Sequence, residues 1–374
     1  MIVRSLDLRD FRNYQNLSIQ FDPRTNIIWG DNAQGKTNIL EAIGVCSTSR
    51  SHRGSRDSEM IRFDQNEGHI MTIVEKAGMT YQIDVHLKRG HSKGIAINRV
   101  PIKKASELFG ILNVIFFSPD DLSIIKMGPD KRRRFIDTEL CQIDRVYLYN
   151  LSEYNKALAQ RNSLLKEIYR NRGLLDTLSV WDMALAGYGE KIISRRRQFI
   201  EEISPVVSEI HSEISGEKEE VRLSYESNVS ENDFREALVR SLDNDLRLGT
   251  TTKGPHRDDL RFDLAGADLR KFGSQGQQRT AALSLKLSEV NVMEEATREK
   301  PVLLLDDVLS ELDSKRQQDL LKSLSQTQTL ISCTGLDDFV RSQYKINKIF
   351  EVVKGTVTEV TDSTDLAGKE TEQK

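Results

Sequence analysis

Hydrophobic and polar residues alternate along much of the first 118 residues, as they do in strands with one buried face. The predicted strands cover residues 2–8, 17–21, 70–74, 81–87, 94–97 and 114–117. The three strands between 70 and 97 form a predicted meander, with turns at Ala77-Gly78 and Arg89-Gly90. The last strand is continuously apolar, as a buried strand is, and Pro119 follows it. The first 118 residues are therefore predicted to consist mostly of strands.

From about residue 119 to 250 the pattern changes to that of helices. One apolar stripe consists of Leu151, Tyr154, Leu158, Leu165 and Ile168. A second consists of Trp181, Leu185, Tyr188, Ile192, Phe199 and Val206. The two stripes flank Asn171-Arg172-Gly173, which predicts an antiparallel hairpin with arms of about 30–40 Å. Two interpretations remain open: a short coiled coil, or stripes that bury against the core of their own lobe.

After residue 251 the pattern returns to alternating helices and strands. Helices are predicted after Gly276 and Asp313, and strands after Pro301 and over 329–333. Parallel strands that alternate with helices predict an α/β fold with a sheet covered on both faces. We therefore predict one α/β lobe formed by residues 1–118 and 251–360, and an inserted helical lobe over 119–250. The polar residues 361–374 are predicted to be a disordered tail.

Composition narrows the class of protein. The 374 residues carry a formal net charge of −3, so contact with nucleic acid would have to come from local basic patches. The three cysteines form no CxxC pair, which argues against a zinc site and disulfides and favours a cytoplasmic protein. The first residues resemble a strand and not a signal peptide, and no apolar run approaches the ~20 residues that span a bilayer.

A glycine-rich loop lies between a predicted strand at 26–29 and a predicted helix at 38–43. Its sequence, G-x-x-x-x-G-K-T, consists of Gly30, Asp31, Asn32, Ala33, Gln34, Gly35, Lys36 and Thr37. Glycines let backbone N–H groups surround phosphate oxygens, and the helix N-terminus adds a favourable dipole. Lys36 would place a charge on the β- and γ-phosphates, and Thr37 a hydroxyl on Mg²⁺. The loop therefore predicts a site for ATP.

Two carboxylates complete this predicted site. The apolar run 302–305 predicts a buried strand that ends at Asp306 and Asp307. Ligands of α/β sheets bind beyond the carboxyl ends of strands. Asp306 is predicted to hold Mg²⁺ through water, and Asp307 to orient or deprotonate the attacking water.

A third motif begins another predicted helix. Ser274, Gly276 and Gln277 belong to the sequence S-x-G-Q-Q, 32 residues before Asp306. Serine and glycine at a helix N-terminus form a second place suited to an anion. Residues 310–313 follow the carboxylates as S-x-L-D.

The order of these motifs resembles the SMC/Rad50-like branch of ABC-type ATPases and, within it, the bacterial RecF family. The resemblance covers most of the chain. It includes the segments at 8–14, 118–122, 128–137, 253–259, 273–279 and 305–313. It implies an ABC-type ATPase head, with an antiparallel β-subdomain beside the P-loop sheet and an inserted helical lobe.

The resemblance also implies a function. The chain would form a homodimer on ATP, in which Ser274 of one subunit caps the γ-phosphate held by the P-loop of the other. Hydrolysis would be slow, because no glutamine ends the 114–117 strand and no histidine follows Cys333-Thr334. In the family this serves DNA gap repair with RecR and RecO, so that RecA replaces single-strand-binding protein. The family's P-loops often carry Asn-Gly where this chain has Asn32-Ala33, so the turn must accommodate a Cβ.

DNA contact is predicted to be independent of sequence, on duplexes and on junctions of duplex and single strand. The candidate basic clusters are Arg50, His52, Arg53 and Arg56; 131–134; 195–197; and Lys253, His256 and Arg257. Each could instead be a solvated face balanced by neighbouring acids. A switch that acts on a protein partner without touching DNA is the alternative that the sequence leaves open.

Overall fold

The computed structural model describes residues 1–168, 170–216, 219–309, 317, 320, 326–335 and 346–360. The strands, in chain order, are β1 (Ile2–Phe11), β2 (Tyr14–Gln20), β3 (Thr25–Trp29), β4 (Glu67–Lys76), β5 (Met79–Lys88), β6 (Gly94–Ile97), β7 (Val100–Pro101), β8 (Val114–Phe117), β9 (Val221–Glu226), β10 (Asp259–Leu264), β11 (Ala267–Asp268), β12 (Val302–Asp306), β13 (Thr329–Cys333), β14 (Lys348–Val353) and β15 (Thr356–Glu359).

The α-helices, in chain order, are α1 (Lys36–Thr48), α2 (Asp57–Met60), α3 (Leu122–Lys126), α4 (Pro129–Ile143), α5 (Arg145–Ile168), α6 (Leu178–Ser215), α7 (Phe234–Arg240), α8 (Leu242–Leu248), α9 (Leu269–Phe272) and α10 (Gln275–Thr297). The chain forms two compact units. Of the described residues, unit 1 contains those up to Pro119 and those from Met293 onward, and unit 2 contains those from Asp120 to Val292. None of the described helices combines the length and the apolar composition needed to cross a membrane.

A six-stranded sheet in unit 1 has the order β15-β14-β3-β13-β12-β8. All neighbouring pairs are parallel except β14 and β15. Every residue of β12 and β13 is buried, as is expected of parallel strands covered on both faces. The pairing of Asp306 with Ser332 and of Cys333 with Trp29 brings the carboxyl ends of β12, β13 and β3 to one edge. This edge is where α/β sheets bind their ligands.

A second sheet in unit 1, of order β2-β1-β4-β5-β6-β7, is antiparallel throughout. It confirms the predicted meander. Burial alternates along β4 and β5, so that one face carries core residues such as Ile70 and Val85. The turn between these strands contains Ala77 and Gly78, both at positive φ (49° and 74°), as a two-residue hairpin turn requires.

In unit 2, α5 and α6 pack as the predicted antiparallel hairpin, since Tyr149 meets Tyr188 and Arg161 meets Asp182. The helix α6 is 38 residues long, about 57 Å, and is therefore longer than the predicted arm. It continues without a break past Pro205. Its buried residues are Leu178, Leu185, Ala186, Gly189, Ile192, Ile193, Arg196, Phe199, Ile200, Ile203, Val207, His211 and Ile214. Trp181, Tyr188 and Val206 of the predicted stripe are only half-buried, and Val207 is buried instead. The stripe packs within unit 2, against α5 and β9.

The second boundary between the units lies later than the predicted residue 251. Residues up to Val292 belong to unit 2, because β10 pairs with β9 and α4 packs on β10. Unit 2 therefore includes most of α10, the helix that follows Ser274. The predicted helix after Asp313 and the predicted tail at 361–374 lie outside the described residues.

Candidate nucleotide site

The glycine-rich loop connects β3 to α1 with the backbone geometry of a tight phosphate loop. Gly30 has a φ of 148° and Gly35 a φ of 117°, in the region that favours glycine. A Cβ at Gly30 would lie 2.4 Å from the Val352 carbonyl oxygen, and one at Gly35 would lie 2.5 Å from the Asn13 side chain. Ala33 adopts a φ of 64°, which shows how the turn accommodates the Cβ. The loop is thus pressed closely against its neighbours and keeps a fixed shape.

Residues distant in sequence hold this loop in place. The Tyr14 hydroxyl donates to the Gly35 carbonyl at 3.1 Å, and the Asn13 amide donates to the Gln34 carbonyl at 2.8 Å. The Lys354 backbone N–H donates to Gln34 Oε1 at 2.6 Å. Burial raises the pKa of Tyr14, so its hydroxyl stays a neutral donor. No role for these residues was predicted, although Asn13 and Tyr14 lie in the segment at 8–14 that resembles the family.

Lys36, the first residue of α1, reaches back over the loop. Its Nζ donates to the carbonyls of Gly30 at 2.5 Å and Asp31 at 2.8 Å, and the residue is only 6% exposed. Burial lowers the pKa of Lys36, and the nearby charges of Asp307 and Asp306 partly offset this effect. A cation that is desolvated and fixed beside glycine backbone is suited to an anionic ligand such as a triphosphate.

Thr37, Asp306 and Ser332 form a hydrogen-bonded group at the strand ends. The hydroxyls of Thr37 and Ser332 each donate to Asp306 Oδ1 at 2.7 Å. The backbone N–H of Asp307 lies 3.1 Å from Ser332 Oγ, and Asp307 has a φ of 54°. Ser332 was not predicted, because it reaches the group from β13, a strand whose sequence carries no motif. A hydroxyl beside a carboxylate offers the hard oxygen ligands that Mg²⁺ prefers, so these residues fit that ion.

The predicted second anion-binding motif begins α10 in unit 2. The Ser274 N–H donates to Gln277 Oε1 at 2.8 Å, and the Gln277 N–H donates to Ser274 Oγ at 3.3 Å. This reciprocal pair is a capping box. Ser274 and Gly276 are exposed, and Gln277 also donates to Glu219 at 2.7 Å. The helix end is therefore rigid and accessible. The S-x-L-D residues at 310–313 lie outside the described residues.

The basic clusters predicted to contact DNA differ in how far their side chains are exposed. Arg132 is 2% exposed and pairs with Asp259. Arg196 is equally buried and pairs with Asp137. His256 lies between the Tyr154 hydroxyl and the Thr251 carbonyl, and burial lowers its pKa to about 4. These three residues therefore hold unit 2 together. Their burial favours the structural interpretation of those positions.

The arginines of the cluster that follows α1 are exposed, unlike the three residues above. Arg50, Arg53 and Arg56 are exposed, and none of the three forms a salt bridge with any described residue. Their segment is anchored by Arg12, which donates to Glu41 at 2.6 and 2.7 Å and to Ser55 at 2.7 Å. Burial alone would raise the pKa of Glu41, but hydrogen bonds from Arg12 and Ser51 hold it below its usual value. His52 stacks on Phe116 at 3.7 Å between ring centroids.

The P-loop sheet, the antiparallel sheet and the inserted helical unit define an ABC-type ATPase head of the SMC kind. The model of the RecF/RecN/SMC N terminal domain family matches residues 2–358. The Smc head domain of Pyrococcus furiosus, 18% identical with a TM-score of 0.56, covers 100% of this chain and 99% of its own and shows the same fold.

Two further comparisons identify the family within this class. The DNA replication and repair protein RecF of Agathobacter rectalis is 58% identical over 97% of this chain and 100% of its own. A solved structure described as the recombination mediator protein RecF with ATP, in the RecFOR pathway, is 37% identical, with a TM-score of 0.90 over 96% of this chain and 98% of its own. The chain belongs to the RecF family of DNA replication and repair proteins.

Proposed function

We propose that the protein is an ATP-driven switch of recombinational repair, which binds DNA as a dimer. The observation that carries the proposal is the group formed by the P-loop, Lys36, Thr37 and Asp306, together with the ATP held by a structural relative of the same family. In this proposal ATP joins two copies of the chain, the dimer binds DNA, and slow hydrolysis of ATP releases the DNA. RecR and RecO are the expected partners, and assembly of RecA at single-strand gaps is the expected outcome, in the cytoplasm where the nucleoid lies.

Each group of residues at the site has a separate role in this proposal. The backbone of residues 30–35 would surround the phosphates, and Lys36 would exchange its two carbonyl partners for phosphate oxygens. Thr37 and Asp306 would hold Mg²⁺, which neutralises phosphate charge when bound. Asp307 would orient and deprotonate the attacking water. Ser274 and Gly276 of the second copy would close the site from the other side.

The exposed arginines that follow α1 are the DNA contacts that we propose. They lie on a segment tied by Arg12 to Glu41 of the P-loop helix, so a change at the nucleotide can be transmitted to them. Arginines that neutralise phosphates give binding that depends on salt and not on sequence. Sequence-independent binding suits a protein that acts wherever a gap arises.

Replacing Arg50, Arg53 and Arg56 together by Ala is expected to weaken duplex and gapped DNA binding in ATP. The slope of log affinity against log salt should flatten by about 0.9 for each phosphate that is no longer neutralised, with ATP binding unchanged. Fluorescence anisotropy over a salt series measures both quantities. The matched control removes the same charge from the exposed Arg172, Arg235 and Arg240 of unit 2. An unchanged slope in the first variant contradicts the assignment. Wild-type affinity that is equal with and without ATP favours a switch on a protein partner.

A further inference from the structure

Phe272, the last residue of α9, carries an apolar ring that unit 2 does not bury. The residue is 76% exposed, although Leu269 in the same turn is only 1% exposed. Burial of a phenylalanine side chain is worth about 1.5–3 kcal/mol, so a ring left in water is available to stabilise a contact with another molecule. Single exposed apolar residues are common on protein surfaces, so exposure alone does not mark Phe272 as part of a binding surface. Its position on the surface is the further argument.

Phe272 is held rigidly beside the exposed helix end at Ser274. The side chain of Gln278 donates to the carbonyls of Leu269 at 3.1 Å and Arg270 at 3.4 Å, which ties the first turn of α10 to the end of α9. A Cβ at Gly273 would lie 2.5 Å from the Leu269 carbonyl, so the connection between the two helices is tight. The backbone of Phe272 is therefore fixed relative to Ser274.

The position places Phe272 inside any interface that covers Ser274. Two residues apart in sequence, their Cα atoms are separated by at most about 7 Å. A stable interface buries about 800 Å² per partner, a patch roughly 30 Å across. A stable interface that is centred near Ser274 would therefore cover Phe272 as well. Such interfaces are enriched in aromatic side chains, and a few residues near their centre contribute most of the binding energy.

We infer that Phe272 of each subunit is an apolar anchor of the ATP-dependent dimer, packed against a second copy of this chain. This inference rests on the proposed function, since it takes the surface around Ser274 to be the dimer interface. It adds an attraction that does not depend on the nucleotide: Ser274 recognises the nucleotide of the second copy, whereas Phe272 adds affinity between the two chains. The nucleotide then supplies only part of the association energy.

The test compares Phe272→Ala with Phe63→Ala, a matched truncation of a phenylalanine of unit 1 that is 84% exposed. Sedimentation equilibrium with a slowly hydrolysed ATP analogue gives the dimer dissociation constant. Phe272→Ala should raise it by about 10-fold to 100-fold, as loss of an aromatic anchor does. Phe63→Ala should leave it unchanged, and Phe272→Leu should restore part of the loss. ATP binding by the monomer should equal that of the wild type in all three variants.

The outcomes separate this inference from the proposed function. If the wild type dimerises on the analogue and Phe272→Ala does so equally well, the anchor is wrong and the shared site stands. If the wild type stays monomeric, the proposed dimer itself fails. Normal dimerisation of Phe272→Ala combined with weaker DNA binding would also overturn the inference, because the ring would then contact a base.

Discussion

Asp307→Asn is expected to keep ATP bound while slowing its hydrolysis by about 10²–10⁴-fold, the usual cost of losing a general base. Asp307 follows the buried strand β12, and its backbone N–H is held by Ser332. Its φ of 54° is one that Asn adopts as readily as Asp. The substitution therefore removes the basic oxygen without disturbing the backbone. A single-turnover assay, paired with equilibrium binding of labelled ATP, separates the two quantities.

Asp306→Asn is the matched control for that variant. The same change one residue earlier should weaken nucleotide binding in Mg²⁺, because Asp306 accepts hydrogen bonds from Thr37 and Ser332 in the proposed metal site. Near-normal turnover of Asp307→Asn would remove Asp307 from the mechanism.

Ser274→Arg is expected to abolish dimerisation on ATP and leave ATP binding by the monomer intact. Ser274 is exposed, so a larger side chain fits the folded monomer but would clash with the nucleotide bound to the P-loop of a second copy. Loss of its cap on Gln277 costs about 1 kcal/mol, which is too little to unfold the unit. Sedimentation velocity with a slowly hydrolysed ATP analogue measures the effect. Ser274→Ala controls for the cap alone and should still dimerise, more weakly than the wild type.

The glycine-rich loop between β3 and α1 could be located from the sequence because its residues are contiguous and its flanking strand and helix are strongly patterned. Ser332, Asn13 and Tyr14 were missed for the opposite reason. They reach the loop and Asp306 from other strands, and only the register of β13 beside β12 and the turn after β1 bring them there. Tertiary contacts of this kind leave no local signal.

The basic runs show that charge alone does not predict which residues are exposed. A run of cations such as 131–134 gives no indication by itself of which residue points inward. The helical period does: Arg132, Phe135, Ile136, Glu139 and Leu140 recur on one face of α4, and all five are buried.

The shared site is tested most directly by mixing two inactive variants. Lys36→Ala lacks the charge that holds phosphates but keeps Ser274, whereas Ser274→Arg keeps its P-loop. In a mixed dimer the P-loop of one subunit and Ser274 of the other form one complete site. The bulky arginine that replaces Ser274 then faces only the P-loop that lacks Lys36 and holds little nucleotide.

ATP hydrolysis is measured for each variant alone and for an equal mixture at the same total concentration. The account predicts that each variant alone is inactive and that the mixture recovers a substantial fraction of wild-type turnover. A mixture no more active than the sum of its parts would contradict the shared site.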